Sequence, residues 1–263
     1  MQIWEYVHYD QWRLIEMSEN RNRRALVTGS SRGIGRAIAI SLAKDGYEVL
    51  VHCAGNRAKA EETAEIITQN GGKAVVLQAD LCNTRETERL AVEMGDIDVL
   101  VLNASLQIRN PWSRIPLEEC YAQLNCNFVS SLMLIQAAVS HMKQQKWGRI
   151  VTIGSVQEAK PHPDMLVYSS SKAAQTNMAK SLSLQLAADG ITVNNVAPGV
   201  IYTDRNMEAL ADAEYAKQVM ASIPTGFYGE PQDCAGIVSL LCSEKGRYIT
   251  GQSIYVDGGK SVQ

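Results

Sequence analysis

Tyr168 and Lys172 stand one helical turn apart in Tyr168-Ser169-Ser170-Ser171-Lys172. Residues four apart on a helix share a face, with Cβ atoms about 5–6 Å from each other. A free phenol titrates near pH ~10 and carries protons poorly at neutrality. A neighbouring ammonium favours the phenolate. At about 4 Å and an effective dielectric near 20, the attraction is on the order of 4 kcal/mol, or about three pKa units. The spacing therefore predicts a tyrosine tuned toward working pH for general acid–base catalysis. A bare Tyr-x-x-x-Lys is common on ordinary helices, so the surrounding chain must supply something for the pair to act on.

A phosphate-binding turn is the first such element. Ala25-Leu26-Val27 reads as a short strand, followed at once by Thr28-Gly29-Ser30-Ser31-Arg32-Gly33-Ile34-Gly35 and then by helical periodicity through Ala37, Ile38, Ser41 and Leu42. Strand, glycine turn and helix form the context of a dinucleotide site: glycines let the backbone approach a pyrophosphate, and the helix N-terminus offers free N–H groups. Glu48–His52 reads as a second strand, and 56–70 as an amphipathic helix. An acid at the end of that strand would hold the ribose hydroxyls of NAD. The residue there is Cys53, while Arg32 and Arg57 could hold a 2′-phosphate. NADP(H) is therefore the preferred cofactor, with NAD(H) use left open.

Further strands are expected at Lys73–Gln78, Asp98–Leu102, Gly148–Ile153 and Ile191–Asn195, alternating with helices. The pattern predicts one α/β domain over residues 25–263, a Rossmann-type doubly wound parallel sheet with helices on both faces. Ligands of such sheets bind at the carboxyl ends of the strands. The glycine turn, Asp80, Asn103 and Ser155 all fall there. Residues 1–24 read as an N-terminal extension, either an over-extended start, with Met17 as the natural one, or a helix packing Trp4, Val7 and Trp12 on a partner subunit.

Composition narrows the function class. The 263 residues carry a formal net charge of −3 and no long basic run, which speaks against nucleic acid. No apolar run approaches the roughly 18 residues of a membrane helix. Six cysteines are scattered without a Cys-x-x-Cys pair, so a reducing cytoplasm is expected, and no metal site is read.

With these residues assembled, the chain resembles the short-chain dehydrogenase/reductase family over nearly all of residues 25–259. Thr28–Gly35 looks like its cofactor turn, with Gly29, Ser31, Arg32, Gly33, Ile34 and Gly35 as contacts. Asp80-Leu81 resembles its adenine contact, and Asn103-Ala104 its motif after the fourth strand. Pro198-Gly199 and Thr203 resemble its nicotinamide segment. Asn127, Ser155, Tyr168 and Lys172 match its catalytic set, Ser155 lying thirteen residues before Tyr168. The resemblance implies that Tyr168 protonates a developing alkoxide and that Lys172 lowers its pKa and binds the nicotinamide ribose. It also implies that Ser155 holds the substrate oxygen and Asn127 a relay water. Ser105 departs from the pattern, standing where the family has glycine.

The substrate is less legible. The nearest likeness is to 3-oxoacyl-carrier-protein reductases and to gluconate- and glucose-type dehydrogenases. Carrier-protein reductases look basic near the site entrance; Lys146 matches one such position, but Asp189 reverses the charge at the other and would repel an acidic carrier. Gln157, Glu158, Lys160 and His162 make the segment before Tyr168 polar for a substrate wall, and Arg109 and Arg205 stand near it. Gln157, Arg109 and Arg205 are the substrate candidates, for a small hydroxylated or carboxylated carbonyl or alcohol. A non-catalytic dinucleotide sensor is the alternative of another class, and the complete catalytic set argues against it. Apolar excess on 121–144 and 165–186 predicts a homotetramer, with a dimer second.

Overall fold

The computed structural model describes residues 23–263. An extension over residues 1–24, and any packing by Trp4, Val7 and Trp12, lies almost wholly outside the described residues. Its last two residues belong to the domain instead. Arg24 opens the first strand, where its backbone N–H donates to Asp98 Oδ2 at 2.8 Å, and the Arg23 guanidinium stacks 3.7 Å over the Trp147 ring.

Seven parallel strands form one sheet in the order β3-β2-β1-β4-β5-β6-β7. They are β1 (Arg24–Val27), β2 (Glu48–Cys53), β3 (Lys73–Gln78), β4 (Val99–Leu102), β5 (Gly148–Ile153), β6 (Ile191–Pro198) and β7 (Ser253–Val256). Between them run α1 (Gly33–Lys44), α2 (Arg57–Gln69), α3 (Thr84–Glu93), α4 (Leu117–Leu124), α5 (Ser130–Gln145) and α6 (Leu166–Leu186). The remaining helices are α7 (Asp204–Leu210), α8 (Ala213–Ala221) and α9 (Pro231–Cys242). Side chains alternate across a strand, so β1 sends Ala25 and Val27 to one face and Leu26 to the other. The first face is covered by Ile38 and Leu42 of α1 with Val238 and Leu241 of α9. The second is covered by Leu90 of α3, Leu134 and Met142 of α5, and Leu186 of α6. Both faces of the central strands are thereby dry, which explains their nearly continuous Val/Leu/Ile runs.

Two features depart from expectation. The single helix expected over 121–144 is instead α4 and α5, joined by a π-helical stretch, Asn125–Val129. The seventh strand was not foreseen: Ile254-Tyr255-Val256 is too short to stand out, and it is held by pairing with β6. The strand order reverses between β1 and β4, so the chain leaves adjacent strands in opposite directions and opens a crevice at their carboxyl ends. No helix among the described residues is long and apolar enough to cross a membrane.

Candidate active site

The turn after β1 is shaped by backbone contacts that exclude side chains. Gly29 and Gly33 have φ of +64° and +57°, and a Cβ on Gly35 would lie 2.4 Å from the Gly29 carbonyl oxygen. Asn103 locks this geometry, its Nδ2 donating to the carbonyls of Thr28 (2.9 Å) and Gly29 (3.0 Å). The Thr28 hydroxyl accepts the N–H groups of Asn103 and Ala104 at 2.9 and 3.0 Å. From the other side, the Gly29 N–H donates to His52 Nδ1 at 3.0 Å, leaving Nε2–H to donate to the Ala79 carbonyl at 3.0 Å. Burial lowers the pKa of His52 to about 4, so the imidazole is neutral and can play both parts. The result is a bare backbone cradle at the N-terminus of α1, which fits the pyrophosphate of a dinucleotide.

An open cleft of about 990 Å³ runs from this cradle across the carboxyl ends of the strands. Gly29, Ser31, Arg32, Gly33, Ile34, Gly35, Asp80, Leu81, Asn103, Ala104, Tyr168, Pro198, Gly199 and Thr203 all line it, as expected of cofactor contacts. Arg57 does not. It is the first residue of α2, and its Nε bonds Glu61 Oε1 at 2.9 Å on the outer face. Lys59 lines the cleft in its place: two residues further on is about 200° around the helix, so the two cations face opposite sides. Lys59 Nζ and Arg32 Nη1 each lie 3.5 Å from Asp204 Oδ2, at the start of α7.

Of the expected catalytic set, Ser155 and Tyr168 line the cleft, whereas Asn127 and Lys172 are buried behind it. Tyr168, only 5% exposed, sets its hydroxyl beside those of Ser155 and Ser105. Burial raises its pKa; the Arg205 charge and the two serine hydroxyls act in the opposite direction. Lys172 lies behind the cleft wall, its Nζ donating to the Ile153 carbonyl at 2.7 Å and to Gln175 Oε1 at 3.1 Å, 5.9 Å from the Tyr168 ring centroid. Burial, then Arg205, brings its own pKa down to about 7, so it is only partly an ammonium at neutral pH. The charge that lowers the Tyr168 pKa most is that of Arg205, gripped by Ser105 through Nη1 to Oγ (3.0 Å) and Nη2 to the carbonyl (2.9 Å). Asn127 is fully buried in the π-helical stretch. Its Oδ1 accepts the Leu106 N–H at 2.8 Å, and its Nδ2 donates to the Leu106 carbonyl and to Ser171 Oγ, both at 2.9 Å. That amide is bonded to protein partners and positions the 106 loop and α6.

The substrate candidates divide. Gln157, Arg109, Arg205 and His162 line the cleft. Gln157 is tethered, its Oε1 accepting from Ser169 Oγ at 2.9 Å, and Arg109 reaches the Tyr215 hydroxyl at 3.2 Å. Burial, and then the Arg109 charge, lower the His162 pKa. Glu158 turns inward instead and accepts from Thr176 (2.7 Å), Asn195 (3.1 Å), Ser253 (2.6 Å) and Tyr255 (3.2 Å), pinning the segment after β5 to α6, β6 and β7. Lys160 borders the cleft but donates to the Lys260 carbonyl at 3.1 Å, which anchors the carboxyl terminus.

A family model described as short chain dehydrogenase matches residues 23–214. The chain belongs to the short-chain dehydrogenase family. It is 39% identical over 241 residues to a 3-oxoacyl-[acyl-carrier-protein] reductase of Staphylococcus aureus, covering 90% of this chain and 97% of that one. Among solved structures it resembles a 3-oxoacyl (acyl-carrier-protein) reductase of Agrobacterium tumefaciens with NADP bound, at a TM-score of 0.87 and 34% identity over 96% of this chain and 99% of that one. It also resembles a gluconate 5-dehydrogenase of Burkholderia cenocepacia in complex with NADP and tartrate, at 0.86 and 29% over 94% and 99%.

Within this dehydrogenase, sequence reasoning missed His52, Lys59, Asp204 and Tyr215. Lys59 could have been found by phasing α2 from its Asn56 cap, whose side chain accepts the Lys59 N–H at 3.0 Å. His52 carried no signal, because a neutral imidazole within a strand passes for core. Lys146 and Asp189 lie at the amino ends of β5 and β6, opposite the cleft of their own chain. Lys146 Nζ meets Asp189 at 2.7 Å and Lys143 Nζ does so at 3.4 Å, and the Lys146 hydrogen bond holds the Asp189 carboxyl below the usual carboxylate range.

Proposed function

We propose that this short-chain dehydrogenase interconverts a small carboxylated or polyhydroxylated ketone and its secondary alcohol, preferring NADP(H). The observation that carries the reading is Tyr168, buried and lining the cleft beside Ser155, Ser105 and Arg205. The dinucleotide, when bound, supplies the hydride chemistry. The cradle around Gly29 and Gly33 would hold its pyrophosphate, and Arg32 and Lys59 its 2′-phosphate. With Cys53 at the end of β2, nothing there repels that phosphate.

Tyr168 gives a proton from its hydroxyl to the substrate oxygen, or takes one in the other direction. Its raised pKa keeps it protonated at neutral pH, ready to act as the acid of ketone reduction. Ser155 orients that oxygen, and the Arg205 guanidinium stabilises negative charge on the phenol or the developing alkoxide. Lys172 fixes the end of β5 behind the tyrosine. Arg205, Arg109, His162 and Gln157 give the substrate wall a positive, hydrogen-bonding character suited to a carboxylate. The tartrate complex of the Burkholderia relative supports this class.

Identity to 3-oxoacyl-carrier-protein reductases favours acyl thioesters as the second reading. Lys143, Lys146 and Asp189 pair with one another at the end of the sheet opposite the cleft, so the charge reversal at Asp189 does not argue against docking at its mouth. Exposed Leu117 and Tyr121 on α4 and Leu166 and Leu184 on α6 favour a homotetramer, in the reducing cytoplasm where all six free cysteines persist. A panel of keto acids, ketoses and acyl-carrier thioesters, followed by NADPH absorbance, tests the substrate. Turnover of the thioester alone would overturn the carboxylate reading.

A further inference from the structure

Lys260 enters the cleft from the segment after β7, and its neighbours hold it there. Asp257 turns that segment: its Oδ1 accepts the Gly259 N–H at 3.0 Å and its Oδ2 the Ser261 N–H at 2.6 Å, with Gly259 at a φ of +87°. Lys160, on the segment after β5, ties the turn down. Its Nζ donates to the Lys260 carbonyl at 3.1 Å and to the Gln263 carbonyl. Lys260 Nζ in turn donates to Ser222 Oγ, just beyond α8, and Lys160, Ser222 and Lys260 all line the cleft. Neither lysine has a part in the proton transfer above.

No carboxylate side chain neutralises Lys260. Among the described residues, the acids that line the cleft are Asp80 and Asp204. Asp204 faces Arg32 and Lys59 at 3.5 Å each, and Asp80 Oδ1 accepts the Cys82 N–H at 2.9 Å. Asp257, the acid nearest in sequence, spends both oxygens on backbone N–H groups. Among the described residues, Lys260 therefore forms no ion pair with Asp or Glu. An ammonium has three N–H donors and no acceptor; Ser222 takes one, and two are left for a ligand. Burial and then the Lys160 charge lower the Lys260 pKa, with Asp257 acting the other way, so an arriving anion would relieve the site.

We infer that Lys260 is a second anion subsite of the substrate cleft, so that the substrate is a ketone or alcohol carrying two anionic groups, the second a carboxylate or a phosphate. The inference rests on the reading of Arg205 above for the first charge only. Arg205 is bonded to Ser105 and Lys260 to Ser222, so the two cations address separate parts of a substrate. A group bound away from the reacting carbon supplies binding energy without entering the chemistry. One charge-assisted bond of this kind tightens binding at least about tenfold. The cleft is open, so that advantage should shrink as salt is added.

The test is calorimetric titration of the full-length enzyme, saturated with NADP+, with unreactive acids at one ionic strength. Succinate, glutarate and adipate are each compared with their monomethyl esters, and 3-phosphonopropionate with propionate, which reads carboxylate and phosphate-type charges apart. The expected result is a dianion of one kind or the other that binds at least about tenfold tighter than its monoanion. Lys260→Met should bring that ratio to within about threefold of unity, and Lys260→Arg, which restores the charge, should keep it. A parent enzyme that binds monoanions and dianions alike, or a Lys260→Met variant with the parent's ratio, would overturn the inference. Arg205→Met reads the first subsite separately. If it weakens the monoanions while dianions show no advantage in the parent, the carboxylate reading of Arg205 stands and the second subsite falls. If it leaves the monoanions untouched while Lys260→Met abolishes the dianion advantage, that reading falls and the Lys260 subsite stands. The parent comparison can refute the inference by itself, whether or not a variant folds.

Discussion

The backbone N–H of Gly29 is bonded to Nδ1 of His52 at 3.0 Å, so a buried imidazole on β2 sets the cofactor turn that follows β1. The opposite nitrogen donates to the Ala79 carbonyl beyond β3, and the ring thereby bridges three adjacent strand ends. An amide can accept at one end and donate at the other, so His52→Gln should preserve both bonds. His52→Ala leaves two buried backbone groups unpaired, each costing about 1–3 kcal/mol. The alanine variant should melt several degrees lower and bind NADPH at least about tenfold more weakly, by differential scanning fluorimetry and fluorescence titration. Equal binding by the alanine and glutamine variants would show that the ring does not set the turn.

The same residue makes the fold acid-sensitive. The folded-state pKa of His52 is lowered to about 4 from an ordinary 6.5. Between those values the unfolded chain binds more protons, so stability rises with pH across the window. The contribution of His52 is complete above pH 6.5 and lost as pH falls toward 4. His52→Gln has no such titration, and its Tm should decline less than that of the parent between pH 6.5 and 4. Parallel Tm profiles would count against this assignment.

Tyr168→Phe should retain fold and cofactor affinity while losing on the order of 10²–10⁴ in turnover. With the phenol pKa raised by burial, the phenolate fraction grows about tenfold per pH unit throughout the accessible range. Alcohol oxidation by the parent enzyme should therefore still be climbing at alkaline pH, whereas ketone reduction is level near neutrality. Arg205→Met removes the charge that lowers the phenol pKa, so it should carry the oxidation limb further upward. A steady-state pH profile in both directions decides; an oxidation plateau near neutrality would mean that something else tunes the tyrosine.

Arg205 also offers a substrate test, because Ser105 presents it to the cleft by two hydrogen bonds. A charge-assisted bond contributes about 1.5–3 kcal/mol. Arg205→Met should raise KM for a keto acid about tenfold or more while leaving KM for a neutral ketone nearly unchanged. Ser105→Gly, which removes the hydroxyl partner but keeps the cation, should give a weaker form of the same selective loss. If both variants shift acid and neutral substrates alike, Arg205 does not bind a carboxylate.

How legible this was depended on what each residue contacts. Strands buried on both faces announce themselves as apolar runs, and β3 and β5 span the residues expected of them. The glycine turn is legible because backbone geometry restricts residue type there. Helix phase is not visible from a charge alone, which is how Arg57 stood in for Lys59. Polar residues that satisfy one another inside the protein also mislead: Glu158 reads as substrate wall but accepts from four residues on three elements, and the Asn127 amide is bonded to Leu106 and Ser171. Lys172 has the right spacing on α6, yet a long side chain can choose partners, and here it takes the Ile153 carbonyl and Gln175.

Cofactor choice rests on Arg32 and Lys59, which share one counter-ion, Asp204, at 3.5 Å each. All three are exposed, so each ion pair contributes only about 0.2–1 kcal/mol, and a 2′-phosphate with nearly two charges should displace the carboxylate. Four variants separate the parts of this reading. Lys59→Ala should weaken NADPH about tenfold and leave NADH alone, whereas Arg57→Ala should change neither, because its side chain is turned to Glu61. Asp204→Asn removes the internal competitor and should tighten NADPH about two- to fivefold, an effect that shrinks as added salt screens the charges. Cys53→Asp places a repulsive charge at the end of β2 and should bring NADH level with or ahead of NADPH. Dissociation constants from fluorescence titration at one fixed ionic strength check all four. NADH binding as tightly as NADPH to the parent, or Arg57→Ala costing as much as Lys59→Ala, would mean that the phosphate is held elsewhere.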